Sequence, residues 1–302
     1  MYRNTIEATI GHTPLLPLER LCSHLPGRIL VKGEFANPGG SVKDRAARAI
    51  LDEAERTGQL SPGGTVIEAT SGNMGIALAM LCAVRGYRCI ILMPDTLPPE
   101  RLRRLEAYGA EVLLTPGDWG MAGAVETAQA LHRAIPCSFL GDQFRNTANP
   151  RRHYMTTGPE IWADTGGRID ILVAGVGTGG TLTGTGRFLK ERNPDLQICA
   201  VEPAASPMLS GGSSGTHRIP GIGANFIPEI LDRSLIDLVI PVTDRDAREA
   251  RRKLACTEGI LSGLSSGAAV YAALNLAARE ENAGKTIVAI LPDTGLNDLS
   301  QG

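Results

Sequence analysis

Seven short β-branched or apolar runs alternate with seven helix-like stretches along this chain, and no other feature constrains its fold as tightly. The strand candidates are residues 65–69, 89–93, 111–114, 169–174, 197–201, 235–241 and 286–291. The helical candidates are residues 42–57, 73–85, 99–108, 121–134, 181–192, 244–258 and 267–281. Such alternation predicts mostly parallel sheet, because a parallel neighbour is reached only through a crossover connection, and the crossover helices cover both faces. With 302 residues, 43% of them hydrophobic, the chain can build one large domain or two smaller ones sharing a substantial core. Residues 146–152 and the Gly/Ser-rich stretch 209–223 read as loops, and the second is long enough to suggest a place near a functional site.

Charge and composition exclude several classes. The net charge is −2, from 30 basic and 32 acidic residues, so nothing draws the chain to nucleic acid or to a membrane surface. Aromatics make up 4%, too few for base-stacking platforms. Cys22, Cys82, Cys89, Cys137, Cys199 and Cys256 form no C-x-x-C pair and read as buried small apolar residues of a reducing compartment. The N-terminal stretch carries Arg3, Glu7, Glu19 and Arg20 and has no secretory h-region. No apolar run reaches the ~20 residues of a membrane span. His12, His24, His132, His153 and His217 show no metal spacing and read as structural or surface residues. The expectation is a soluble, cytoplasmic α/β protein without a metal.

Four loops carry groups suited to chemistry. Asn37-Pro38-Gly39-Gly40-Ser41-Val42-Lys43 sets a lysine just past a tight turn, at the mouth of a helix whose Ala46, Ala47, Ile50, Leu51 and Ala54 form an apolar stripe. A lysine so held can form an imine with a carbonyl, as pyridoxal phosphate requires; taken alone, it reads first as an exposed first-turn residue. Gly175-Val176-Gly177-Thr178-Gly179-Gly180-Thr181 follows a strand and opens a helix, where successive N–H groups can cradle a phosphate. The same string satisfies G-x-G-x-x-G, with Glu202 ending the next strand, so a nicotinamide site and a plain turn stay open. Thr70-Ser71-Gly72-Asn73 gathers hydroxyls, an amide and a helix start, which suits a carboxylate or ordinary N-capping. Leu264-Ser265-Ser266-Gly267 offers a hydroxyl either to cap a helix or to meet a ring nitrogen.

Taken in order, these segments resemble the cysteine synthase family, the pyridoxal-phosphate-dependent O-acetylserine sulfhydrylases of fold type II. The likeness also takes in Ile10-Gly11-His12-Thr13-Pro14-Leu15, Glu68-Ala69, Asp142-Gln143-Phe144, Thr156-Thr157-Gly158-Pro159-Glu160-Ile161-Trp162 and Pro220-Gly221-Ile222-Gly223. The T-T-G-P-E-I-W stretch is similar to the bacterial B-type branch, whereas the Gly/Ser segment before Gly223 is more similar to the A-type. The resemblance implies two doubly wound, mostly parallel domains of the tryptophan synthase β-like kind. Residues 1–38 with 148–302 would form the larger, phosphate-binding domain, and 39–147 a smaller one that closes on the substrate carboxylate.

Carried over residue by residue, the resemblance makes Lys43 the Schiff-base lysine and Gly177, Thr178, Gly179, Gly180 and Thr181 the phosphate cup. Asn73 would meet the cofactor's ring hydroxyl and Ser265 its pyridine nitrogen. Thr70, Ser71, Gly72, Asn73 and Gln143 would grip the substrate carboxylate, with Met74 nearby and Gly223 near the amino group. The implied reaction is β-replacement on O-acetyl-L-serine through an aminoacrylate, with sulfide adding to give L-cysteine. A homodimer is implied, and with it a serine acetyltransferase C-terminal tail as a partner. Met74 departs from the family's usual threonine and resembles the β-cyanoalanine synthase branch, which keeps cyanide or thiosulfate open as nucleophile. Leu296-Asn297-Asp298-Leu299-Ser300 replaces the family's R-Y-L-S-T, a change expected to bear on packing or dimer contacts.

Overall fold

A computed structural model describes residues 4–70, 72–96 and 99–297. The chain divides into a smaller unit, Met1–Ile10 with Lys43–Asn149, and a larger one, Gly11–Val42 with Pro150–Gly302. The N-terminal segment thus departs from the expected assignment of residues 1–38 to the larger domain. Its attachment has a physical cause: Ile10 is buried in the smaller unit's apolar cluster, and Glu7 pairs with Arg85 at 2.8 Å. The other boundaries fall at 42/43 and 149/150 rather than 38/39 and 147/148.

Strands β1 (Leu15–Pro17) and β2 (Arg28–Gly33) open the larger unit. The smaller unit follows as α1 (Lys43–Arg56), β3 (Thr65–Ala69), α2 (Asn73–Arg85), β4 (Arg88–Pro94), α3 (Pro99–Ala107), β5 (Glu111–Thr115), α4 (Gly120–Ala134) and β6 (Ser138–Leu140). Its sheet runs β5-β4-β3-β6, all parallel. Helix α2 is buried from Met74 to Cys82 and stops where Gly86, left-handed at φ 74°, sends its N–H back to the Cys82 carbonyl.

The chain then passes through α5 (Ala148–Met155), which holds the unit boundary, and returns to the larger unit. There follow α6 (Thr157–Asp164), β7 (Ile171–Gly175), α7 (Gly180–Lys190), β8 (Gln197–Pro203), β9 (Leu238–Val242), α8 (Asp244–Glu258), α9 (Leu264–Ala277) and β10 (Thr286–Leu291). The sheet order is β1-β2-β10-β7-β8-β9, parallel except for β1. Helix α9 needs no amphipathic stripe because it is buried nearly throughout. Helix α8 is amphipathic, capped by the Thr243 hydroxyl at one end and by left-handed Gly259 at the other.

Several expectations change. The stretch 146–152, read as a loop, is helical from Ala148, and only Thr156 separates α5 from α6. Proline is accommodated in the first turn of each, where no intrahelical N–H is required. Strands β1, β2 and β6 were not anticipated, and α9 begins three residues earlier than expected. Cys137 and Cys256 are exposed, one in a turn at φ 56° and the other on the polar side of α8; the remaining four cysteines are buried and all six are free. Among the described residues no helix is long and apolar enough to cross a membrane, and no cluster suits a metal ion.

Candidate active site

In an open parallel sheet, ligands bind beyond the carboxyl ends of strands where the winding direction reverses. The smaller unit reverses between β3 and β6, because β3, β4 and β5 progress one way and β6 returns to the other side of β3. The larger unit does the same between β7 and β10. All four loops that follow these strands carry polar or glycine-rich segments.

In the smaller unit, the loop after β3 leads into α2 through Gly72, which has no side chain to cap it, so side-chain N-capping is not how this helix starts. Thr70 is buried and its hydroxyl accepts the Gly72 N–H at 3.3 Å. Asn73 opens the helix; Ser71 lies outside the described residues. The loop after β6 brings Gln143 alongside, also buried. The link is Glu68, which accepts the Asp142 N–H at 3.1 Å and the Gln143 side-chain amide at 3.3 Å. Burial, then the nearby Asp142 carboxylate, push the Glu68 carboxyl up to about 8, against the pull of these hydrogen bonds. Met74 is 1% exposed and belongs to the unit's apolar cluster with Ala47, Ile50 and Ile91.

In the larger unit, the turn before Lys43 is stitched to the loop after β10. Val42 N–H donates to the Pro292 carbonyl at 2.8 Å, Thr294 N–H to that of Gly40 at 3.1 Å, and Ser41 bridges Asp293. Gly40 takes φ 84°, which a side chain would strain. Behind the turn, Glu34 accepts the Thr13 hydroxyl at 2.7 Å and the Asn37 amide at 2.8 Å, while Asn37 Oδ1 accepts the Gly11 N–H. The Gly11-His12-Thr13 segment therefore serves as a buttress. Lys43, the next residue after the turn, opens α1 and is partly buried.

After β7, Gly179 caps α7 in the left-handed region at φ 83° and offers no side chain to the helix start. A Cβ on Gly177 would meet the Gly221 carbonyl oxygen at 2.1 Å, so the loop lies directly on the turn holding Gly221 and Gly223. Gly223 N–H ties that turn to the Val176 carbonyl at 2.9 Å. Thr178 and Ser265 are buried; Ser265 lies inside the first turn of α9 rather than at its cap, 3.5 Å from Asp293 Oδ1. Glu202 is fully engaged elsewhere, accepting the Leu209 and Ser210 N–H groups and the Ser210 hydroxyl. That removes the carboxylate a nicotinamide ribose would need.

The structure thus groups Thr70, Gly72, Asn73 and Gln143 in one unit, and the 177–181 loop, the Gly223 turn and Ser265 in the other. Three residues gain positions the sequence reading did not assign: Glu68, Asp293 and His153. Only Glu68 lay in a quoted strand motif with an acid among apolar neighbours, a pattern that flags a buried carboxyl.

Comparison with known proteins agrees with this arrangement. The profile of the pyridoxal-phosphate dependent enzyme family matches residues 6–293. A cysteine synthase of Staphylococcus aureus is 47% identical over 298 residues, covering 98% of this chain and 96% of the relative. The crystal structure of a cysteine synthase from Entamoeba histolytica superposes with a TM-score of 0.96 at 44% identity, covering 99% of this chain and 90% of that one. An O-ureido-L-serine synthase gives a TM-score of 0.95 at 44% identity, covering 99% and 93%.

Proposed function

Because this chain belongs to the pyridoxal-phosphate dependent enzyme family, we propose that it makes L-cysteine by β-replacement, from O-acetyl-L-serine and sulfide. The observation that carries the reading is the turn at residues 37–42, which is bonded to the loop after β10 and presents a lysine as its next residue. The donor set suits the cofactor. The N-cap of α7 is Gly179, which has no side chain to fill the helix start, and the Gly180 N–H meets the Thr178 hydroxyl at 3.4 Å. The loop is kept narrow by glycine, with a threonine at either side of Gly179 and Gly180. Such a helix mouth holds a phosphate through backbone N–H groups.

When bound, pyridoxal phosphate supplies a sink for charge that develops at the substrate α-carbon. The chain's own residues do the rest. Gly177, Thr178, Gly179, Gly180 and Thr181 would hold the phosphate, Ser265 would offer its hydroxyl to the ring nitrogen, and Asn73 would serve the ring hydroxyl. Lys43 would hold the cofactor through Nζ and, with Nζ free, would take the substrate α-proton as general base. Thr70, Ser71, Asn73 and Gln143 orient the substrate carboxylate with neutral donors, and the Gly223 turn lines the amino group. Fixed orientation of this kind is a large part of the rate.

The test is direct. Purified protein given O-acetyl-L-serine should form cysteine with sulfide, and faster than it forms the corresponding products with cyanide or thiosulfate. Met74, the residue that kept cyanide and thiosulfate open, packs into the apolar cluster. Lys43→Ala should lower turnover by roughly a thousandfold or more and remove the visible absorbance of lysine-bound cofactor. Protein that binds NADH and shows no such absorbance would sink the reading. The proposal extends to a homodimer in the cytoplasm, in keeping with six free cysteines. Sedimentation tests the dimer, and a pull-down tests capture of a serine acetyltransferase tail.

A further inference from the structure

Helices α5, α6 and α7 meet at two glycines. A Cβ on Gly184 would lie 2.0 Å from the Pro150 carbonyl oxygen and 2.7 Å from His153 Cβ, and one on Gly158 would lie 2.8 Å from Phe188. This close packing brings His153, 1% exposed, up to the first turn of α7. Its Nε2 is 3.2 Å from Thr181 Oγ1, and its Nδ1 is 2.8 Å from Thr157 Oγ1. Thr157, the first residue of α6, is completely buried. One imidazole therefore joins a hydroxyl of the phosphate loop to a hydroxyl in the protein interior.

The chemistry of the three groups assigns a direction to this chain of bonds. A phosphate ester presents acceptor oxygens, and a threonine hydroxyl has one proton to give. For Thr181 to donate to phosphate, its oxygen must accept from His153, so Nε2 carries the imidazole proton. In a neutral imidazole Nδ1 is then an acceptor, and it takes the Thr157 proton. We infer that His153 is a positioning residue for cofactor binding: Thr157 O–H donates to Nδ1, Nε2–H donates to Thr181 Oγ1, and Thr181 O–H is thereby aimed at the phosphate. The inference rests on the proposed placement of the phosphate against Thr181.

Cofactor dissociation constants for apoenzyme reconstituted with pyridoxal phosphate, measured by equilibrium dialysis, test it together with melting curves that check folding. Glutamine can place a donor where Nε2 stands, and asparagine cannot. His153→Gln should bind the cofactor within about threefold of the wild type, whereas His153→Asn should bind it roughly tenfold more weakly, the effect of about one hydrogen bond. In a Thr181→Ala background, His153→Asn should cause no further loss. Equal affinities for the Gln and Asn variants, or additive losses in the double variant, overturn the relay. An unchanged affinity of Thr181→Ala alone would instead overturn the placement of the phosphate. A second readout needs no variant: ¹⁵N-histidine spectra of the holoenzyme should show His153 as the Nε2–H tautomer. The Nδ1–H tautomer or an imidazolium overturns the proposal.

Discussion

The two units wind alike: in each, three parallel strands progress toward one edge and the fourth returns beside the first, giving β5-β4-β3-β6 in one and β9-β8-β7-β10 in the other. Their reversal points are nonetheless furnished with different chemistry. In the larger unit the loop after β7 is glycine, packed against backbone and offering N–H groups. In the smaller unit the equivalent place holds the side chains of Thr70, Asn73 and Gln143, the last bonded to the buried acid Glu68. Backbone donors cannot rotate away, which suits a group held for the life of the enzyme. Side-chain donors can re-form around a group that arrives and leaves each turnover. On the proposed reading, one winding pattern would support both a permanent anchor and a transient grip.

Glycine substitutions at the two reversal points give the widest expected contrast. Gly177→Ala puts a methyl group within 2.1 Å of the Gly221 carbonyl oxygen, so either the loop or the turn must move. Overpacking against backbone should weaken cofactor binding roughly 10- to 100-fold, read by equilibrium dialysis. Gly72→Ala meets nothing within 4 Å and keeps a backbone at φ −135°. Its turnover should stay within about twofold, and equal damage at both glycines would erase the distinction between rigid and adaptable loops.

Glu68 supplies the next effect. Its folded value of about 8 stands above the ordinary 4.5, so between these the folded chain holds a proton that the unfolded chain has lost. Its contribution to stability is complete below about 4.5 and disappears as pH rises through 8. Replacing it by glutamine mimics the neutral acid. Denaturation midpoints should show Glu68→Gln gaining on the wild type from pH 5 to pH 9, by on the order of a few kcal/mol. A parallel pH dependence of the two proteins would show that Glu68 is ionised throughout. The smallest effect belongs to Met74→Thr. A hydroxyl brought into an apolar cluster should cost about 1–3 kcal/mol in a thermal melt. The preference for sulfide over cyanide should change little, and a large change would return Met74 to the substrate side.

The alternation of strands and helices made most of both sheets legible, and α2, α8, β3 and β10 carry the expected bounds because local pattern and burial agree there. Strand β2 was hidden by Lys32, a charge at 0% exposure that only makes sense beside Glu160 at 2.9 Å and the Thr13 carbonyl. Helix α5 was hidden by Pro150, Arg151, Arg152 and His153, which read locally as a polar loop. The glycine cup, the lysine and the carboxylate loop could be named because each is contiguous in sequence. Glu68 with Gln143 and His153 with Thr181 could not, since each pair is created by packing between distant segments.

The bonds from residues 40–42 to residues 292–294, with β2 paired along β10, bear on when this protein becomes competent during its own synthesis. The lysine leaves the ribosome well before the strand and loop that fix its turn are made. Until they dock, the turn lacks its bonds to Pro292 and Thr294, and β2 lacks its parallel neighbour. On the proposed role of Lys43, cofactor loading therefore waits for residues 286–294, and a nascent chain that stalls before residue 286 would carry its lysine beside a turn that is not yet fixed.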